Sequence, residues 1–115
     1  MTVAEPRVIY QVTDFDRARD FYTRLLGFDE VFVDFDERWS TLSRGGMHIA
    51  VTPGEPGDEG GVAMVDVDDI KAEAARLRGE GVHVGTVIEL GGQMRLVDVF
   101  DPDGNRIQLA QPLDA

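Results

Sequence analysis

The chain has 115 residues, with 22 Asp and Glu against 11 Lys and Arg, and so carries a formal net charge of −11. That acid excess argues against binding a nucleic-acid backbone or an anionic membrane face, since both need a cationic surface. With 43% apolar and 29% charged residues the chain can bury the core of one domain, and the lack of cysteine removes disulfides, thiolate metal sites and cysteine nucleophiles together.

The opening MTVAEPRV has neither the basic region nor the apolar run of a secretory signal, and no apolar stretch approaches the ~20 residues of a membrane span. A soluble cytoplasmic protein is expected. From Arg7 to Val12 the run RVIYQV reads as a strand. Thr13-Asp14 then offers a helix N-cap, with Asp16 three residues after Thr13 in a capping-box relation. Phe15, Ala18, Tyr22 and Leu25 recur at helical spacing, and Gly27 stands where a left-handed C-cap belongs. Three strands follow, near Phe28–Phe35, Arg38–Ser43 and Met47–Thr52, separated by Asp36-Glu37 and Gly45-Gly46.

The segment PGEPGDEG, residues 53–60, is all turn formers and acid, and reads as a linker without structure of its own. After it the same order returns. A strand Val62–Val67 precedes an Asp68-Asp69 cap, a helix carrying Ile70, Ala74 and Leu77, and stops at Gly79 and Gly81. Strands near Val82–Leu90, Gln93–Phe100 and Asn105–Ala110 close the chain, the last two joined by the turn Asp101–Gly104, DPDG. Gly46-x-x-Ile49 and Gly104-x-x-Ile107 open the final strand of each half. The fold class is therefore α+β, two tandem βαβββ modules spanning about 5–53 and 61–112 within a single domain of residues 1–115. Two half-sheets related by a pseudo-two-fold axis would enclose a concave groove.

The opening stretch VTDFDRARDFYTRLLGF, residues 12–28, and the closing stretch DPDGNRIQLAQP, residues 101–112, resemble the vicinal oxygen chelate superfamily, which unites glyoxalase I, bleomycin resistance proteins and extradiol dioxygenases. The resemblance implies the glyoxalase/bleomycin-resistance fold. It also implies four metal-ligand positions in the metalloenzymes of the family, one early in the first strand and one in the last strand of each module. Here these fall on Arg7, Ala50, Val62 (Gly61 if the register slips by one) and Gln108. A guanidinium only donates hydrogen bonds, alanine and valine have no donor atom, and a lone neutral amide is a poor ligand. No metal and no cofactor are expected.

The remaining candidates are groove residues. Trp39 begins a strand that crosses the concave sheet with Thr41 on the same face, and its ring would stack on a planar or cationic ligand or serve as a core aromatic. Met64 and Met94 adapt to irregular ligand shapes or fill core; Ile9 joins the lining; His48 shares a face with Ala50. Arg7 and Gln108 are expected near the centre of the groove, with Asp66 as an internal partner for Arg7 or an anionic ligand in its place. No phosphate-binding glycine loop, H-E-x-x-H or nucleophile elbow is present. The leading reading is a metal-independent small-molecule binding protein that sequesters an aromatic or cationic compound such as an antibiotic, with no catalytic residues. The alternative is a lyase, isomerase or dioxygenase-type enzyme on the same fold, with His48 or Asp66 as base and Arg7 as oxyanion stabiliser. The resemblance further implies a homodimer, in which half-sheets pair across subunits.

Overall fold

The computed structural model describes residues 6–57 and 61–113. The end of the expected linker, residues 58–60, and both chain ends lie outside the described residues. The elements are β1 (Val8–Val12), α1 (Phe15–Asp20), β2 (Asp29–Asp34), β3 (Trp39–Arg44), β4 (Met47–Pro53), β5 (Ala63–Asp66), α2 (Ile70–Gly79), β6 (His83–Val84), β7 (Ile88–Leu90), β8 (Met94–Phe100) and β9 (Arg106–Pro112). They form two mixed sheets, β1-β4-β3-β2 and β5-β9-β8-β6, with β7 also paired to β8. β1 runs parallel to β4 with Val8 opposite Ile49, and β5 runs parallel to β9 with Ala63 opposite Ile107. The two G-x-x-I motifs thus hold equivalent places, as the duplication requires. Neither helix is long and apolar enough to cross a membrane.

Local chemistry explains most boundaries, and several differ from the sequence reading. The first helix is not regular to its end: after Asp20 it widens into a π-turn over Phe21–Leu25, where the N–H of Leu26 donates to the carbonyl of Phe21 at 3.1 Å. The extra residue in that turn advances the buried stripe by one position, so Leu26 rather than Leu25 enters the core. Asp14, not Thr13, caps this helix by accepting from Arg17 N at 3.0 Å, and Asp69 alone caps α2 through Ala72 N at 3.1 Å. Gly79 lies inside α2; the left-handed stop is Gly81, at φ +84°.

The expected strand Val82–Leu90 is broken into β6 and β7. Between them Gly85 turns its N–H onto Asp98 O at 2.8 Å, while Arg78 holds its carbonyl at 2.6 Å. The linker is also less free than its composition suggests. Gly54 N donates to Val12 O, and Gly57 N to the Asn105 side-chain carbonyl.

One buried cluster draws on both modules. Val8, Tyr10 and Val12 of β1 and Ile49 and Val51 of β4 join Val65 of β5, Val97 and Val99 of β8 and Ile107 and Leu109 of β9 in it, under both helices. The polar stitching between modules centres on DPDG. The Asp101 carboxylate accepts from Tyr22 Oη (2.8 Å), from Asp103 N and Asn105 N (both 2.9 Å) and from Asn105 Nδ2 (3.0 Å). Burial, then the charge of Asp101, holds the Tyr22 phenol well above the ordinary tyrosine pKa, so it stays a donor. Tyr10 stacks on Tyr22 at 5.7 Å, donates to Arg106 O at 2.6 Å and accepts from Ala63 N at 2.8 Å. Thr13 binds the Asp103 carboxylate instead of capping the helix. From the second module, Arg76 reaches Leu25 O at 2.7 Å, and Arg44 bridges Leu26 O (2.6 Å) to Glu73 (3.1 Å). The carbonyls at the end of the first helix are therefore met by cations.

On the outer side of the first module Arg19 grips Glu30 with two bonds of 2.7 Å, and Ser40 Oγ donates to the same carboxylate at 2.6 Å. The Arg19 bond lowers the Glu30 pKa against the opposing effect of burial, with Ser40 helping. A depressed carboxylate stabilises the fold above its unfolded pKa and loses that contribution as pH falls through the folded value. Glu30→Gln is expected to cost about 1 kcal/mol near neutral pH. In thermal melts the gap to the parent should close as pH falls below the ordinary glutamate range; a gap constant to about pH 3 would show that the charge is immaterial.

Candidate functional site

Alternation along the strands sets which side chains leave the shared core. In the first sheet Ile9 of β1 lies opposite Ala50 of β4, and Ala50 opposite Thr41 of β3. This row faces away from the core, with His48 one step along it on β4 and Arg7, just before β1, donating its backbone N–H to His48 O at 2.7 Å. The Trp39 indole N–H donates to Thr41 Oγ at 3.1 Å, which lays the ring along β3. Ala50 and Thr41 are buried and form the floor; Ile9 and Phe32 are 40% and 46% exposed at the sides. His48 Nδ1 is buried without a hydrogen-bond partner among the described residues.

The second open face repeats the arrangement. Met64 of β5 lies opposite Gln108 of β9, and Gln108 opposite Asp98 of β8. Gln108 Nε2 donates to Asp98 at 3.3 Å, and Arg106 reaches the other oxygen of the same carboxylate at 3.5 Å. Thr86, Ile88, Leu96, Asp98 and Gln108 enclose a cavity of about 130 Å³. Met94 lies farther along β8, opposite Leu90 and Pro112.

The candidates therefore fall into two groups. Arg7, Ile9, Trp39, Thr41 and His48 share the first open face; Met64, Met94 and Gln108 share the second. No strand pairing joins the two sheets. The expected Arg7–Asp66 ion pair is absent among the described residues: Asp66 ends β5 of the second sheet, and Arg7, just before β1, is exposed rather than buried. The carboxylate at the centre of the second face is Asp98, which the sequence reading passed over. Period-2 alternation back from Phe100 on β8 was the signal that could have found it. Phe32, Ile88 and Leu90 were missed likewise. Of the seven exposed large apolar side chains among the described residues, Ile9, Phe32, Met64, Ile88 and Leu90 all stand on these two faces.

A model of the glyoxalase/bleomycin resistance protein/dioxygenase superfamily matches residues 6–109. The chain belongs to this superfamily. TnmS3, an antibiotic binding protein from Streptomyces sp. CB03234, is similar at 26% identity over 97% of this chain and 98% of its own, with a TM-score of 0.74. A superfamily member from Sphaerobacter thermophilus DSM 20745 matches at 25% identity over 95% and 98% of the two chains, with a TM-score of 0.76. An integron cassette protein from the mobile metagenome of the Halifax Harbour sewage outfall gives a TM-score of 0.79 over 96% and 99%, and its 19% identity makes that a likeness of fold. No curated protein matches the chain.

In this superfamily member the positions implied for metal ligands do not stand opposite one another: Ile9 rather than Arg7 is paired with Ala50, and Met64 rather than Val62 with Gln108. Their donor chemistry does not fit a cation: Gln108 offers a single neutral amide oxygen, a poor ligand alone, and none of the other three side chains has a lone pair to offer. Among the described residues, no group of three or more His, Asp or Glu side chains could hold a metal ion.

Proposed function

We propose that the protein is a cytoplasmic, metal-independent small-molecule binding protein, taking an aromatic or cationic compound such as an antibiotic between the first open face of one copy and the second open face of another. The observation that carries this reading is the character of those faces. They lack a ligand set where the superfamily's metalloenzymes would hold one, yet gather most of the exposed apolar surface around Trp39, Met64 and Gln108. The 26% identity to an antibiotic binding protein supports it. The net charge of −11 favours capture of a cation. Each chain brings only half of such a groove, so the proposal requires a homodimer, with the two modules of each chain folding as one unit through their common core.

Two measurements test it. Thermal-shift screening with planar cationic polyaromatic compounds is expected to find a hit that at a hundredfold excess over Kd adds about 2.7 kcal/mol, a shift on the order of 10 °C. Sedimentation at micromolar concentration is expected to show a dimer. A monomer that still binds the hit overturns the shared groove, and stoichiometric zinc, nickel or iron in the purified protein overturns the metal-independent reading.

A further inference from the structure

A larger cavity shares no lining residue with the 130 Å³ cavity of the second open face. It is a cleft of about 460 Å³ between the first helix and the far end of the second module, in the size range of small-molecule sites. One wall carries Arg17, Asp20 and Arg24, spaced along a single helix face. The other carries Glu80, His83 and Phe100. Not all of these charges are available. Asp20 is paired with Arg24 at 3.2 Å, and Asp101 at the base is saturated by its four donors. The Arg17 guanidinium, the Glu80 carboxylate and the His83 imidazole make no hydrogen bond or ion pair among the described residues. His83 stacks on Phe100 with ring centroids 4.7 Å apart and planes 26° from parallel, which presents an aromatic platform at the cleft.

We infer that this cleft is a second ligand site, selective for a small aromatic zwitterion of the aromatic amino acid kind. Arg17 supplies a fork for a carboxylate, Glu80 an acceptor for an ammonium, and the His83–Phe100 stack a surface for the ring. A net-neutral ligand follows from the charges. The protein at −11 repels a simple anion, while the free guanidinium repels a simple cation. The base of the cleft is built from the buried Phe21 and Asp101, the latter fixed by its four hydrogen bonds. The inference does not depend on what the open faces bind.

Calorimetric titration of the full chain with L-tryptophan, indole-3-acetate and tryptamine tests it. L-tryptophan is expected to bind, and each analogue, lacking the ammonium or the carboxylate, to bind about tenfold more weakly. Arg17→Ala and Glu80→Gln remove exposed side chains, leave the melting temperature near that of the parent, and are expected to weaken L-tryptophan by a similar factor. Trp39→Ala, on the first open face, is expected to leave this affinity unchanged. Absence of saturable binding of L-tryptophan, binding indifferent to Arg17 and Glu80, or binding lost with Trp39 would each overturn the inference.

Discussion

Asp101→Ala is expected to cost about 3–5 kcal/mol, the range for removing one partner of a buried, charge-assisted network. Asp101 is 4% exposed and its carboxylate receives four hydrogen bonds, so truncation leaves the buried Tyr22 hydroxyl and Asn105 backbone N–H without their acceptor. The damage would not stay local. Tyr22 packs on Tyr10, which hydrogen-bonds backbone atoms of both β5 and β9, so the contact between modules loosens at the same time. For a chain of this size the melting temperature should fall by more than about 10 °C. Asp101→Asn keeps the shape and one strong acceptor and should lose less than half as much. A drop below about 1 kcal/mol for the alanine variant would mean that the network is incidental.

The second large effect falls on ligand affinity rather than stability. Trp39 is half-buried, and its one polar contact is to the neighbouring Thr41 hydroxyl, so Trp39→Ala leaves the core untouched. It removes the broadest aromatic surface on either open face. Aromatic stacking together with an attraction between cation and ring is worth about 1–3 kcal/mol, so a planar cationic ligand should bind about tenfold to a hundredfold more weakly. Trp39→Phe should recover part of the loss. Circular dichroism checks that the fold survives. Equal affinity in parent and alanine variant would move the site off the first open face.

These two residues also mark what the sequence could and could not disclose. Asp101 and Gly104 are legible because a Pro-containing turn closed by a glycine is local chemistry, and the two G-x-x-I motifs expose the duplication for the same reason. The helix caps at Asp14 and Asp69 are readable within a residue. The π-turn is not, since it places Tyr22 against Asp101, a partner 79 residues away, and only the folded chain supplies that demand. Strand alternation puts His48 on the face of Ala50, but the sequence reading assigns Arg7, Ile9, Met64 and Gln108 to one groove, whereas the structure sets Met64 and Gln108 on a different sheet from Ile9 and Ala50. What alternation does not contain is which faces meet. The shared core takes the helix-covered side of both sheets, so the expected Arg7–Asp66 pair never forms and Asp98 takes the central place beside Gln108. His48 keeps its predicted face, yet the burial of its Nδ1 without a partner among the described residues has no signature in the chain order.

The central claim is that the open faces bind an organic molecule without a metal. Its most direct test is a calorimetric titration of chelator-stripped protein with a planar cationic polyaromatic compound, repeated after one equivalent of zinc, nickel or ferrous iron per chain. The account predicts the same affinity and stoichiometry in every titration. Binding that is absent from the stripped protein and restored by a stoichiometric metal would contradict it.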